Sequence, residues 1–511
     1  MSTPVTNHNL YALFRAHFPA SPDALFLDHP RHPLRYGEID QASGRYLAVL
    51  RAIGVRPGDR VIVQVNKSPE AVLLYFACLR AGAIFIPLNT AYTAGERRYF
   101  IADAEPRLLV LRLEEASEIH NGPALLTLGA EGEGSLPHQA RAAQAHTDIA
   151  PVGADDIAAI LYTSGTTGRS KGAILSHGNL AANARALCAV WDWRRSDVLL
   201  HALPIFHVHG LFVALHCALL GGSAVIFRDR FEAGDVRRHL PRARVFMGVP
   251  TYYVRLLDDP AFGARDCANM RLFISGSAPL LPETFAAFEA RSGHRIVERY
   301  GMTEAGIIAS NPGSSDEAGR VPGTVGFALP GVSARVADET GAPKAPGEVG
   351  ILEISGPNVF SGYWRMAQKT AEEFRADGFF ITGDMAVMDD SGRISIVGRG
   401  RDLVISGGFN VYPREVECHI DAIPGVRESA VIGAPHPDFG EAVVAIVVRE
   451  DSPAGAALTP QSIGQALAGH LAKFKQPKKI LFADSLPRNT MGKVQKNILR
   501  NEAAGLFKAA G

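Results

Sequence analysis

Cysteine is scarce and scattered. The 511-residue chain has five, at Cys78, Cys188, Cys217, Cys267 and Cys418. None belongs to a CxxC pair or a His/Cys cluster, which argues against a structural zinc site, and the odd, sparse count fits a reducing compartment. An excess of one charge is also missing. The chain carries 52 basic and 52 acidic residues, a balance that argues against broad binding to nucleic acid or to an acidic membrane surface. No apolar run approaches the roughly 18 residues of a membrane span. Met1 to Ala12 lack a basic stretch followed by an apolar core, so no signal peptide is read there. The expectation is a cytoplasmic enzyme. A hydrophobic content of 47% with 20% charged residues is ordinary for a globular protein, and the length exceeds what one core serves. Two or more domains are expected.

What is present in abundance is a loop chemistry. Tyr162-Thr163-Ser164-Gly165-Thr166-Thr167-Gly168-Arg169-Ser170-Lys171-Gly172 lies between two apolar runs, Ile157 to Leu161 and Ala173 to Leu175, which read as strands. Glycines let the backbone turn and approach a ligand. Hydroxyls and free N–H groups supply donors, and Arg169 and Lys171 supply charge: the makings of a polyphosphate cradle. The spacing is not that of a P-loop, because Lys171 is followed by Gly172 rather than Ser or Thr.

This stretch resembles the phosphate loop of the adenylate-forming superfamily. Further stretches narrow the resemblance to the acyl-CoA synthetases and, among these, to the malonyl-CoA synthetases: Pro87 to Thr93, His201 to Pro204, Leu272 to Leu280 and Phe409 to Pro413. It runs from about residue 10 to about residue 505.

Elsewhere the chain alternates strand-like and helix-like segments, which predicts an α/β fold with parallel sheets. Strands are expected at 59–65, 83–88, 107–111, 125–128, 199–204, 224–227, 245–250, 272–279 and 295–301, with helices at 70–81 and 177–191. Residues 129–155 show no periodicity and read as a surface connection. After residue 320 short alternating runs predict a small antiparallel, β-rich subdomain. Gly398-Arg399-Gly400-Arg401-Asp402 is polar and glycine-bearing, a hinge candidate. The expected organisation is a large N-terminal domain over 1–400 and a small, mobile α+β domain over 401–511.

The resemblance implies a two-step reaction. A carboxylate attacks the α-phosphate of ATP, giving an acyl-adenylate and pyrophosphate, and the thiol of coenzyme A then displaces AMP. Such chemistry needs positioning and charge neutralisation rather than a protein nucleophile. By the resemblance, Thr163, Ser164, Gly165, Thr166, Thr167 and Lys171 hold the phosphates of ATP. In Arg299-Tyr300-Gly301-Met302-Thr303-Glu304, Tyr300 lies near adenine, Thr303 bonds the α-phosphate, and Glu304, with Thr163, binds Mg²⁺ through hard oxygen. Ser277 belongs to another nucleotide-side loop that borders the acid. Asp384, in Thr382-Gly383-Asp384, meets the ribose, and Arg399 lies at a nucleotide position. Lys493, in Pro487 to Lys496, matches the family's mobile catalytic lysine. Rotation about Arg401 would exchange it for Gly407 and Gly408, beside which the pantetheine arm of CoA would pass. Lys473, in a basic run with Lys475, Lys478 and Lys479, is a candidate for the CoA phosphates.

Two residues bear on the acid. His207, in Phe206-His207-Val208-His209-Gly210, sits at a gate beside the acyl pocket; a metal reading of the two histidines lacks a third ligand. Arg299 falls on the pocket wall. A buried cation is costly unless paired, so it points to a substrate with a second carboxylate, such as malonate, unless a local acid, Glu298 or Glu304, takes it. The apolar run Ala305 to Ala309 would also admit methylmalonate or another short acid. A ligase for another short or aromatic acid, and a stand-alone adenylation domain, are the alternatives. Nothing in the sequence fixes the oligomeric state.

Overall fold

The computed structural model describes residues 7–119, 122–163, 170–313, 319–406, 409–437, 439–489 and 492–507. The strand–helix alternation of the first half builds two sheets. One is six-stranded, in the order Ala124–Thr127, Leu108–Leu111, Arg60–Gln64, Ile84–Pro87, Ile157–Thr163 and Lys171–Ser176. It is parallel except for its last pair, which flanks the phosphate loop and runs antiparallel, with Thr163 opposite Lys171.

The other sheet is nine-stranded: Phe327–Ala328, Gly306–Ser310, Val297–Met302, Leu272–Ser275, Val245–Gly248, Val198–His201, Ala224–Phe227, Leu25–Asp28 and Leu34–Arg35. Its centre is parallel and both edges are antiparallel.

Local sequence explains the central helix. Ser68 caps Pro69–Ala81 by accepting the Ala71 N–H, Pro69 occupies the first turn, and Gly82 ends it at φ 69°. Every residue from Pro69 to Ala81 except Glu70 is buried, so the helix belongs to the core and carries no polar face.

Of the α-helices that went unread in the sequence, two lie in the first 155 residues. Residues 129–155 hold the helix Ser135–Ala142 rather than a plain connection; it buries only Leu136, Pro137 and Ala140, too few for a periodic signal. Ala94–Ala104 is announced by a capping box between Thr93 and Glu96 but buries only Arg97, Phe100 and Ala104.

A four-stranded antiparallel sheet follows: Ser333–Ala337, Val349–Ser355, Phe380–Met388 and Ile394–Arg399. The chain then makes a short 3₁₀ turn, Gly400–Asp402, and enters a last sheet. In that sheet Val426–His436 and Gly440–Arg449 pair over ten positions and Lys479–Ala483 lies parallel to the second of them. The helices Pro413–Asp421 and Pro460–Ala468 help to close its own core around Val416, Val443 and Ile463. Among the described residues no helix is long and apolar enough to cross a membrane.

Candidate functional site

The carboxyl ends of parallel strands are where open α/β sheets hold ligands, and a cleft of about 1190 Å³ lies there. Thr163, Lys171, His207, His209, Ser277, Arg299, Thr303, Glu304, Arg399 and Lys493 all line it. Residues from 163 to 493 of the sequence thus converge on one cavity.

At its phosphate-loop end, Lys171 Nζ lies 3.1 Å from Glu373 Oε1 and 4.3 Å from the centre of the Tyr363 ring. The Tyr363 hydroxyl lies 2.8 Å from Glu373 Oε2 and 3.1 Å from Glu304 Oε1, so one proton serves two carboxylates. Burial raises the Glu304 carboxyl above its ordinary range. Ser164, Gly165, Thr166 and Thr167 lie outside the described residues. Tyr363 and Glu373 were not singled out by sequence. Neither stands in a recognisable motif, and their signal is the stacking of Lys171 on an aromatic ring.

Tyr300, Asp384 and Arg399 are brought together. Gly383, at φ 70°, turns the chain ahead of Asp384. The Tyr300 hydroxyl donates to Asp384 Oδ2, and Arg399 Nε lies 2.7 Å from Oδ1. Asp384 and Arg399 face each other across adjacent strands, so sheet register fixes this pair. Burial, with the Asp384 carboxylate beside it, pushes the Tyr300 hydroxyl well up.

The acid-side wall is built of nitrogen. Arg299 is 4% exposed. Its Nε and Nη2 have no hydrogen-bond partner among the described residues. These two atoms share one edge of the guanidinium, the edge that clamps a carboxylate with two parallel bonds. The local acids do not take it: Glu298 Oε1 accepts the Leu280 N–H at 3.3 Å, and Glu304 faces Tyr363. Burial lowers the guanidinium to about 9.

Beside it, the His209 N–H donates to His207 Nδ1 at 3.2 Å, and Ser277 Oγ lies 3.3 Å from His209 Nδ1. Ser277 holds φ at 72°, a left-handed conformation that non-glycine residues adopt at a cost and that clusters at ligand sites. Burial, and then the charges of Arg299 and Lys493, push His207 down to about 4. His209 is lowered too, by burial and Arg299. Both rings are therefore neutral at pH 7. The His-x-His pair is a feature of this pocket, and His209 belongs with His207 as a site residue.

From the C-terminal unit, Arg488, Asn489, Lys493 and Gln495 reach the same cleft. Backbone and side-chain bonds of 2.9 Å between Asn489 and Lys493 shape the turn. Gly492, at φ 72°, lies against Thr251: a Cβ there would fall 2.9 Å from Thr251 Oγ1. Lys473 is exposed and does not line the cleft. Its neighbour Lys475 pairs with Glu415 at 2.6 Å, which removes it from the expected run of solvated cations. Gly407, Gly408 and the Arg401 side chain fall outside the described residues.

Comparison with known proteins identifies the family. Residues 14–364 match the family model described as AMP-binding enzyme, and residues 415–493 match its C-terminal domain. The chain belongs to the AMP-binding enzyme family. This AMP-binding enzyme is similar to ATP-bound MatB from Rhodopseudomonas palustris, at 51% identity over 98% of this chain and 100% of that one, with a TM-score of 0.95. The apo form of MatB superposes at 0.84. Feruloyl-CoA synthase of an Amycolatopsis species is 36% identical over 94% of this chain and 96% of its own. The mitochondrial malonate–CoA ligase of Mus musculus is 34% identical over 88% of this chain and 83% of its own. The architecture is that of the adenylate-forming enzymes.

Proposed function

We propose that this AMP-binding enzyme joins malonate to coenzyme A at the expense of ATP, through a malonyl-adenylate. The observation that carries the choice of acid is Arg299: a cation 4% exposed, with one edge of its guanidinium unpartnered. A monocarboxylic acid spends its only carboxylate on the α-phosphate and leaves Arg299 alone. Malonate brings a second one. The likeness to malonate–CoA ligases supports the same acid.

In this reading one malonate oxygen attacks the α-phosphorus and pyrophosphate leaves. The CoA thiol then loses its proton, attacks the acyl carbon, and AMP leaves. Lys171 and the hydroxyls of Thr163, Ser164, Thr166 and Thr167 hold the phosphates, with Gly165 giving the backbone room. Thr303 faces the α-phosphate, and Tyr300, Asp384 and Arg399 hold the nucleoside. Lys493 bridges the attacking carboxylate and the α-phosphate, where negative charge grows. Glu304, Thr163 and Thr303 offer only hard oxygen, which suits Mg²⁺; the ion would neutralise polyphosphate charge. Residues 1–400 and 401–511 form the two domains, pivoting at Arg401, and Gly407, Gly408 and Lys473 belong to the CoA side. The protein is placed in the cytoplasm, a location supported by five free thiols.

The test offers malonate, methylmalonate, acetate, butyrate and coumarate with ATP, Mg²⁺ and CoA, and follows AMP and acyl-CoA by mass. A charge-assisted bond contributes about 1.5–3 kcal/mol, so malonate should lead the monocarboxylates by about 10- to 100-fold in kcat/KM. Arg299→Ala should erase that lead. Equal or better turnover of a monocarboxylate would overturn the assignment of the acid and leave the ligase chemistry standing.

A further inference from the structure

Behind the acid side of the cleft lies a buried lysine that the chemistry above does not use. Lys67 follows the strand Arg60–Gln64 of the six-stranded sheet and is 9% exposed. Its Nζ lies 2.7 Å from His201 Nδ1, 2.9 Å from the His201 carbonyl oxygen and 4.3 Å from the centre of the Phe227 ring. Burial lowers its amine well below the ordinary lysine range, and Asp229, the acid that opposes this, is engaged by His29 at 2.9 Å.

His201 ends a strand of the nine-stranded sheet. Its Nε2 lies 2.8 Å from the Gly210 carbonyl oxygen. A carbonyl only accepts, so Nε2 must carry the proton and Nδ1 must offer a lone pair, and Lys67 is the donor aimed at that lone pair. The polarity of the chain is therefore fixed: Lys67 to His201, His201 to Gly210.

Gly210 closes the loop that holds both pocket histidines. The closure is tight, since a Cβ at Gly210 would fall 2.1 Å from the Pro204 carbonyl oxygen. The turn that follows, His209–Leu215, is a π-helix, a geometry frequent at functional sites. Within the loop, His209 orients His207, and Ser277 meets His209.

We propose that Lys67 and His201 are positioning residues for the acid: bonded across the two sheets, they clamp the Pro204–Gly210 loop so that His207 and His209 face the carboxylate held by Arg299. The naming of malonate as that acid rests on the reading above; the clamp itself does not. Neither Lys67 nor His201 lines the cleft, so both act through the loop.

The test is Lys67→Met, which keeps the apolar stem and removes the donor. Full acid, ATP and CoA kinetics are measured, together with histidine-selective ¹⁵N spectra in which His201→Asn assigns the His201 signals. The KM for malonate is expected to rise about tenfold with the KM for ATP within about twofold, the pattern of lost binding confined to one substrate. The unsubstituted protein should show His201 as the neutral Nε2–H tautomer, and Lys67→Met should keep that tautomer while shifting the Nδ1 resonance, whose lone pair loses its donor. An unchanged malonate KM in a folded Lys67→Met protein overturns the proposal. Should Lys67→Met fail to fold, the spectrum of the unsubstituted protein decides: His201 as the Nδ1–H tautomer or as imidazolium overturns it equally. If the unsubstituted enzyme prefers a monocarboxylate, the malonate reading fails by itself, and the KM comparison is made with the preferred acid.

Discussion

Gly276 and Arg299 are sterically matched: a Cβ on Gly276 would fall 2.5 Å from both Cζ and Nε of the Arg299 guanidinium. The strand Leu272–Ser275 ends in Ser275, and the next residue is the bare backbone on which the cation lies. Gly276→Ala should therefore displace the guanidinium without touching the phosphate end of the cleft. The expected outcome is a rise of about tenfold or more in the KM for malonate, with the KM for ATP nearly unchanged. Steady-state kinetics with each substrate varied in turn checks it.

Asp384 ties a tyrosine and an arginine together, so its charge matters to folding as well as to binding. Asp384→Asn keeps the shape and removes the charge. Arg399, about a quarter exposed at its side chain, then loses its ion-pair partner. Breaking a largely buried pair from one side is expected to lower stability by about 2–3 kcal/mol. Urea unfolding should show a lower midpoint with an unchanged slope, alongside weaker use of ATP. Stability within error of the parent would contradict the pairing.

Glu298 gives a pH signature. Burial raises its carboxyl from an ordinary 4.5 to about 7. The folded protein therefore keeps this proton over a range in which the unfolded chain releases it. Its contribution to stability is fully present below about pH 4.5 and is lost as pH rises through about 7. Glu298→Gln cannot ionise, and its amide oxygen still accepts the Leu280 N–H. Relative to the parent, the variant should gain stability steadily from pH 5 to pH 7.5, by chemical denaturation at each pH. Asp421, likewise raised to about 7 by burial, remains in both proteins and cancels in the difference.

Much of the candidate site was legible in the sequence because the chemistry it would serve constrains residue type locally. A loop that cradles phosphates needs glycine, hydroxyls and cations in succession, a pattern that Thr163 to Lys171 carries in sequence. A turn such as Thr382-Gly383-Asp384 is ordinary alone and gains meaning only beside Arg399 in sheet register. Arg299 was legible as a misplaced cation, but whether Glu298 or Glu304 satisfied it depended on where those side chains point.

What stayed hidden is non-local. Tyr363 and Glu373 meet Lys171 across about two hundred residues, and Lys67 meets His201 across 134. Tyr363, Glu373 and Lys67 do not stand out in their own neighbourhoods. The helices Ala94–Ala104 and Ser135–Ala142 were missed for a different reason: each buries only three residues, and a narrow apolar stripe leaves little period to read.

The contact between Lys171 and Glu373 has a consequence for which anions the cleft admits. The lysine is not waiting bare; a carboxylate of the same chain already answers its charge at 3.1 Å. An incoming anion must compete with that carboxylate. A single inorganic phosphate offers little more charge than the group it would displace, whereas a triphosphate offers several linked charges. If polyphosphate binds at this end, the pair would make it respond to the number of linked charges in a visitor and discriminate against the abundant small anions of its surroundings.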